Sequence, residues 1–184
     1  MITEVHTGQI LLYIARATIA REFGRMHPSS EDAEWLRDPG ACFVTLRQGE
    51  RLRGCIGTLK AHRALLEDVK ANARNAAFRD PRFPPLAEQE LDRTSVEVSL
   101  LSPLERIASE SEAHALAQLR PGIDGVVFEY GYHQSTYLPQ VWEDLPDPAE
   151  FLATLKQKAG LPPDFWDPEV KLARYTVSKW CEQP

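Results

Sequence analysis

Two stretches that alternate apolar and polar residues, 41–47 and 51–59, stand on either side of Gln48-Gly49-Glu50. The pattern predicts a β-hairpin, and the alternation restricts how its strands can meet. Cys42, Val44 and Leu46 make one apolar row, and Leu52, Gly54 and Ile56 make another. For both rows to line one core face, the numbers of facing residues must sum to an even value, which calls for a loop of odd length. A two-residue turn would set Val44 against Cys55 and turn Ile56 away. In the odd-loop register the opposite face gathers Phe43, Thr45, Arg47, Arg51, Arg53 and Cys55. Arg53 and Cys55 are then same-face neighbours about 7 Å apart along the strand.

Elsewhere the periodicity alternates between helix and strand. Residues 9–23 repeat with a helical period and stop at Gly24, and a short helix is expected over 30–36. A second helix reads over 62–78, followed by Asp80-Pro81-Arg82-Phe83-Pro84-Pro85, which cannot continue a helix and forms a stiff extended connector. Residues 94–101 alternate as a strand with one solvated face, carrying Ser95, Glu97 and Ser99. Then come a helix at 109–119, strands at 125–130 and up to 138, a helix at 148–159 and a last strand at 170–177. Hairpins mixed with helices indicate an α+β fold, a largely antiparallel sheet flanked by helices.

The chain has 184 residues and a net charge of −6. Its distribution is uneven. Residues 47–82 hold nine basic and four acidic residues, a local +5, against 12 basic and 23 acidic in the rest, −11. Either this segment faces an anion, or its cations pair with the acidic remainder. No apolar run approaches the ~20 residues of a membrane span. Three cysteines without a CxxC pair argue against a disulfide scaffold and make a reducing cytoplasm the default compartment. The histidines show no metal-binding spacing, so no metal and no cofactor is expected.

Cys55, between two glycines and beside an arginine, is the candidate catalytic residue: a nucleophile or redox thiol activated by Arg51 and Arg53. The plainer reading is a small residue chosen for tight packing. Arg53, with its planar fork, is a candidate grip for a phosphate or carboxylate, or else the cation of a salt bridge to an acid of a smaller lobe. Arg51, Asp80 and Arg82 are candidates for the same substrate-binding site, although Asp80 capping or tethering the proline-rich loop, with Arg82 paired to it, is the plainer reading of those two. Either His62 or His133 could serve as a base if the fold brings it to the thiol.

Leu52-Arg53-Gly54-Cys55-Ile56-Gly57 resembles the best-known motif of the AMMECR domain family, in the bacterial branch called AmmeMemoRadiSam system protein A. Residues 76–86 (AAFRDPRFPPL) resemble a second block. Gly122-Ile123-Asp124-Gly125-Val126, Tyr137-Leu138-Pro139-Gln140-Val141 and Lys158-Ala159-Gly160-Leu161 resemble later blocks in the right order. The resemblance implies one α+β domain over 1–184, with a large and a small lobe and a cleft between them. It further implies Memo-like and radical S-adenosylmethionine proteins as partners, and a role in modifying a nucleic acid or another macromolecule. It names no reaction. The leading expectation is a pathway component that binds an anionic substrate, such as a nucleotide or nucleic-acid segment, around Cys55 and Arg53, away from any membrane. The alternative is a non-catalytic adaptor that holds those partner proteins.

Overall fold

The computed structural model describes residues 4–108 and 110–182. They form two compact units, one running up to Leu101 and resuming at Ser178, the other spanning Ser102–Val177. Each unit contains one four-stranded sheet, so the strands divide between two antiparallel sheets in an α+β architecture.

In the first unit, α1 (Glu4–Glu22) precedes β1 (Ala41–Gln48), β2 (Arg51–Gly57), α2 (Leu65–Phe78) and β3 (Ser95–Leu101). A short 3₁₀ turn over Glu34–Arg37 stands where a helix over 30–36 was expected. A second 3₁₀ turn, Glu88–Arg93, leads into β3. The sheet order is β2-β1-β3-β8, where β8 is Val177–Cys181, so β2 and β8 are its edges. Cys42, Val44, Leu46, Val96 and Val98 are fully buried with Leu11, Ile14 and Ile19 of α1 and Val69 and Ala73 of α2, and Ile56 packs against them. Helices and sheet thus share one core, supplied by the even-numbered row of each strand.

The hairpin register corrects the expected loop. The turn is two residues long, Gly49-Glu50, with Gln48 facing Arg51 and Gly49 at φ 57°. That positive φ is the backbone state two-residue hairpins require. Even so, Val44 faces Ile56 and Leu46 faces Gly54. The pairing slips between Leu46 and Arg47, where Arg47 meets Leu52, so Arg53 is the extra residue of a β-bulge. The bulge absorbs the residue that an odd loop would have absorbed, and Ile56 still reaches the core. The face of β3 expected to be solvated is also different. Glu97 is only 8% exposed and Thr45, opposite it, 7%.

The second unit holds β4 (Glu105–Ile107), α3 (Glu112–Leu116), β5 (Gly125–Tyr130), β6 (His133–Tyr137), α4 (Pro148–Lys158) and β7 (Lys171–Tyr175). Its sheet order is β4-β7-β5-β6. The helix expected at 109–119 shrinks to α3, and Ser109 lies outside the described residues. Asp147 caps α4 by accepting the Glu150 amide, and Pro148 occupies the first turn, where its missing N–H costs nothing. Trp142 stacks on Phe151 at 3.7 Å inside this core and donates its indole N–H to Asp124 O. Among the described residues no helix is long and apolar enough to cross a membrane.

Candidate functional site

The signature peptide runs along the edge strand β2, and most of its residues have a packing reason. A Cβ on Gly54 would lie 2.1 Å from the Ala76 carbonyl oxygen, so α2 presses its backbone directly on this position. A Cβ on Gly57 would lie 2.2 Å from the Phe43 ring, which covers that glycine from the neighbouring strand. Ile56 joins the core. Arg53, 9% exposed, turns its guanidinium to Glu90: Nε and Nη2 each donate at 2.9 Å to one carboxylate oxygen. Nη1 donates to Pro84 O at 3.0 Å and Nη2 also to Pro85 O at 3.4 Å. Every guanidinium nitrogen thus has an acceptor. Glu90 accepts further from Gln48 Nε2 and the Ala87 amide, and its carboxyl is held down to about 2, chiefly by Arg53. The observed contact of Arg53 is a salt bridge, but to Glu90 of the same unit and not to an acid of the smaller lobe.

Cys55 sits in a different arrangement. It faces Thr45 on β1, and the Thr45 hydroxyl donates to Sγ at 3.2 Å. Both backbone groups of Cys55 point outward from the sheet edge, which makes this a non-hydrogen-bonded pair with closely spaced side chains. The outward N–H donates to Asp80 Oδ2 at 2.8 Å, and the outward C=O accepts from Arg82 Nη2 at 3.2 Å. Asp80 and Arg82 are joined by two side-chain hydrogen bonds, Nε to Oδ1 at 3.0 Å and Nη2 to Oδ2 at 2.7 Å. Together they occupy the place of a missing neighbour strand and close the exposed edge at this residue. Asp80 is 4% exposed, and its carboxyl lies well below the usual carboxylate range, first because of Arg82. The cation held against Cys55 is therefore Arg82, through the backbone carbonyl, and not Arg53, which is turned to Glu90. Arg51 is exposed at the turn, roughly 10–13 Å of strand away, and has no ion pair among the described residues.

The other thiols differ. Cys42 is fully buried, and burial followed by the nearby Asp68 carboxylate pushes its pKa up. Cys181, on the exposed edge strand β8, donates to Glu97 Oε2 at 3.4 Å, and burial and Glu97 raise it too. Among the described residues His62 makes no hydrogen bond to Cys55, and its Nδ1 lies 3.1 Å from Lys60 O. His133, in the second unit, has its Nδ1 2.8 Å from Ala159 O.

The local positive charge is largely compensated. At least six of the nine basic residues in 47–82, namely Arg47, Arg53, Arg63, Lys70, Arg74 and Arg82, pair among the described residues with Glu97, Glu90, Asp68, Glu31, Glu22 and Asp80. Most of these acids lie outside the segment, so the asymmetry is mainly internal pairing. Among the described residues no cluster of His, Cys, Asp and Glu is suited to a metal.

Residues 12–180 match the AMMECR1 family, through both units. The chain belongs to the AMMECR1 family. It is 39% identical to a protein of Methanothermobacter thermautotrophicus over 180 residues, 95% of this chain and 94% of the relative. With a protein of Methanocaldococcus jannaschii the identity is 41% over 173 residues, 91% and 86% of the two chains. A crystal structure of an uncharacterized protein from Pyrococcus horikoshii superposes with a TM-score of 0.77 at 34% identity, covering 96% of this chain and 91% of that one. In this AMMECR1-family chain the site residue missed by sequence reasoning is Thr45. Its place opposite Cys55 follows from the even-sum register, which already put both on one face. Glu97 was missed as well, because strict alternation reads an odd row on a strand as solvated.

Proposed function

We propose that this AMMECR1-family chain is a thiol-bearing component of a macromolecule-modification pathway, acting in the cytoplasm with Memo-like and radical S-adenosylmethionine partners. Cys55 meets the substrate in this reading, and Arg82, with Arg51 further along the strand, attracts its anionic part. The partners rest on the family resemblance. The chemistry rests on one observation. Arg53, Gly54, Ile56 and Gly57 each have a packing role, whereas the Cys55 clamp uses only backbone atoms and would hold any small residue. Its sulfur accepts from the Thr45 hydroxyl, and the Arg82 guanidinium is held at its own carbonyl, so a hydrogen-bond donor and a cation are both supplied at this residue.

A second reading, the non-catalytic adaptor, is favoured by the pairing of six basic residues with carboxylates, which leaves little free charge for a broad anionic ligand. Alkylation of the folded protein at neutral pH, mapped by mass spectrometry, separates the two. The thiol reading expects Cys55 to be labelled first, ahead of Cys181, with Cys42 protected. Protein isolated from its native cells should carry an adduct on Cys55 or be trapped through it. Labelling of Cys55 only after unfolding would leave the adaptor as the better description.

A further inference from the structure

Arg82 is tied down on one side and open on the other. Its Nε and Nη2 are committed to Asp80 and to the Cys55 carbonyl. Its Nη1 has no hydrogen-bond partner among the described residues, and the side chain is 54% exposed while Asp80 beneath it is 2% exposed. The guanidinium also lies over the Phe83 ring, 5.5 Å from its centroid, which fixes its plane. A rigid cation with a free donor edge, held through the backbone of the very residue that carries the thiol, is a built-in anchor for a second group on whatever reaches that thiol.

We propose that Arg82 is a specificity-determining residue that selects electrophiles carrying a carboxylate or similar small anion next to the carbon attacked by Cys55. This inference rests on the thiol reading above and adds the substrate class. Arg53 cannot serve, since all of its nitrogens are engaged by Glu90 and the proline carbonyls. Asp80 remains bound to Arg82 throughout, because the anion approaches from the Nη1 side. Asp80 is thus a positioning residue: it orients the guanidinium and contacts no substrate.

Iodoacetate and iodoacetamide test this directly, since they differ in one group, a carboxylate against a neutral amide. With either, the Cys55 sulfur forms a bond to the methylene carbon, the carbon–iodine bond breaks, iodide leaves with the electron pair, and the thiol proton passes to solvent. The ratio of the two rates at Cys55, divided by the same ratio in the urea-unfolded protein, isolates charge selection from general thiol reactivity. The expected enrichment is roughly five- to tenfold in favour of iodoacetate, as for one charge-assisted contact at a half-exposed site. Arg82→Gln should return the ratio to the unfolded value, and Arg82→Lys should retain only part of it, lacking the planar fork. In the unaltered protein, inorganic phosphate should slow iodoacetate but not iodoacetamide, which keeps the test decisive if Arg82→Gln fails to fold. A ratio equal to that of the unfolded protein, or equal slowing of both reagents by phosphate, overturns the inference while leaving the thiol reading intact. Failure of both reagents to label Cys55 in the folded protein overturns both.

Discussion

Replacing Arg53 by alanine distinguishes a structural ion pair from a substrate grip. The pair is bidentate and nearly enclosed, with side-chain exposures of 10% for Arg53 and 17% for Glu90. Glu90 falls from an ordinary 4.5 to about 2, first through Arg53 and then through the Ala87 amide. At ~1.36 kcal/mol per unit, that depression corresponds to about 3 kcal/mol of stability at neutral pH. Arg53→Ala removes the largest part of it and the two tethers to Pro84 and Pro85, while Glu90 keeps Gln48 and Ala87. The net loss should be about 2–4 kcal/mol. The sign of the pH dependence follows from the direction of the shift. A carboxylate depressed in the folded state contributes fully above its unfolded value of about 4.5, and the contribution disappears as pH falls toward 2. Urea unfolding followed by circular dichroism should therefore show a wide gap between the two proteins at pH 7 that narrows markedly at pH 3. A gap below about 1 kcal/mol at pH 7, smaller than such a pair supports, or one that stays constant between the two pH values, would refute the reasoning and return Arg53 to the list of free cations.

Other substitutions read other parts of the fold. Gly54→Ala drives a methyl into the Ala76 carbonyl of α2, a backbone atom that cannot swing aside, and should cost about 3 kcal/mol or more. Gly57→Ala meets only the Phe43 ring and should cost about 1–2 kcal/mol, with relief from Phe43→Leu; thermal melts that rank Gly57→Ala as the worse of the two would contradict the geometry. In the second unit, Lys156 is fully buried, with Nζ 2.6 Å from Glu112 Oε1 and 3.1 Å from Phe165 O. Glu112→Ala strands that charge and should destabilise by about 3 kcal/mol, whereas Lys156→Met should stay within about 1 kcal/mol of the unaltered protein in the same melts.

The legibility of the chain in its sequence followed the range of the forces involved. Cys42, Val44, Leu46, Val96 and Val98 were readable as core because burial of alternate residues is a local pattern along each strand. The even-sum register was readable for the same reason, and it survived a wrong loop length because hydrophobic alignment outweighs turn choice. The bulge at Arg53 was not readable, since the chain can correct its parity either in the loop or in the strand. Strand β8 and the short β4 were missed: β8 carries Lys179 between Trp180 and Ser178, and β4 has three residues, too few to show a period. Glu97 defeated the alternation rule because Arg47 and Lys179 neutralise it where it is buried, and those partners come from other strands.

The two arginines of the site show why adjacency in sequence misdirected the chemical reading. Arg53 is two residues from Cys55, yet a long side chain goes where acceptors are, and the bulge and Glu90 take it away from the thiol. Arg82 is 27 residues from Cys55, and it reaches Cys55 because β2 is an edge strand whose outward N–H and C=O require partners. A proline-rich segment cannot supply a regular ladder of amides, so side chains supply the missing donor and acceptor instead. That substitution has a chemical consequence. A neighbouring strand would have closed the edge with neutral peptide groups; the Asp80–Arg82 pair closes it with an ion pair and leaves one guanidinium nitrogen without a hydrogen-bond partner among the described residues. The need to cover a sheet edge and the placement of a cation at Cys55 are thus one structural solution.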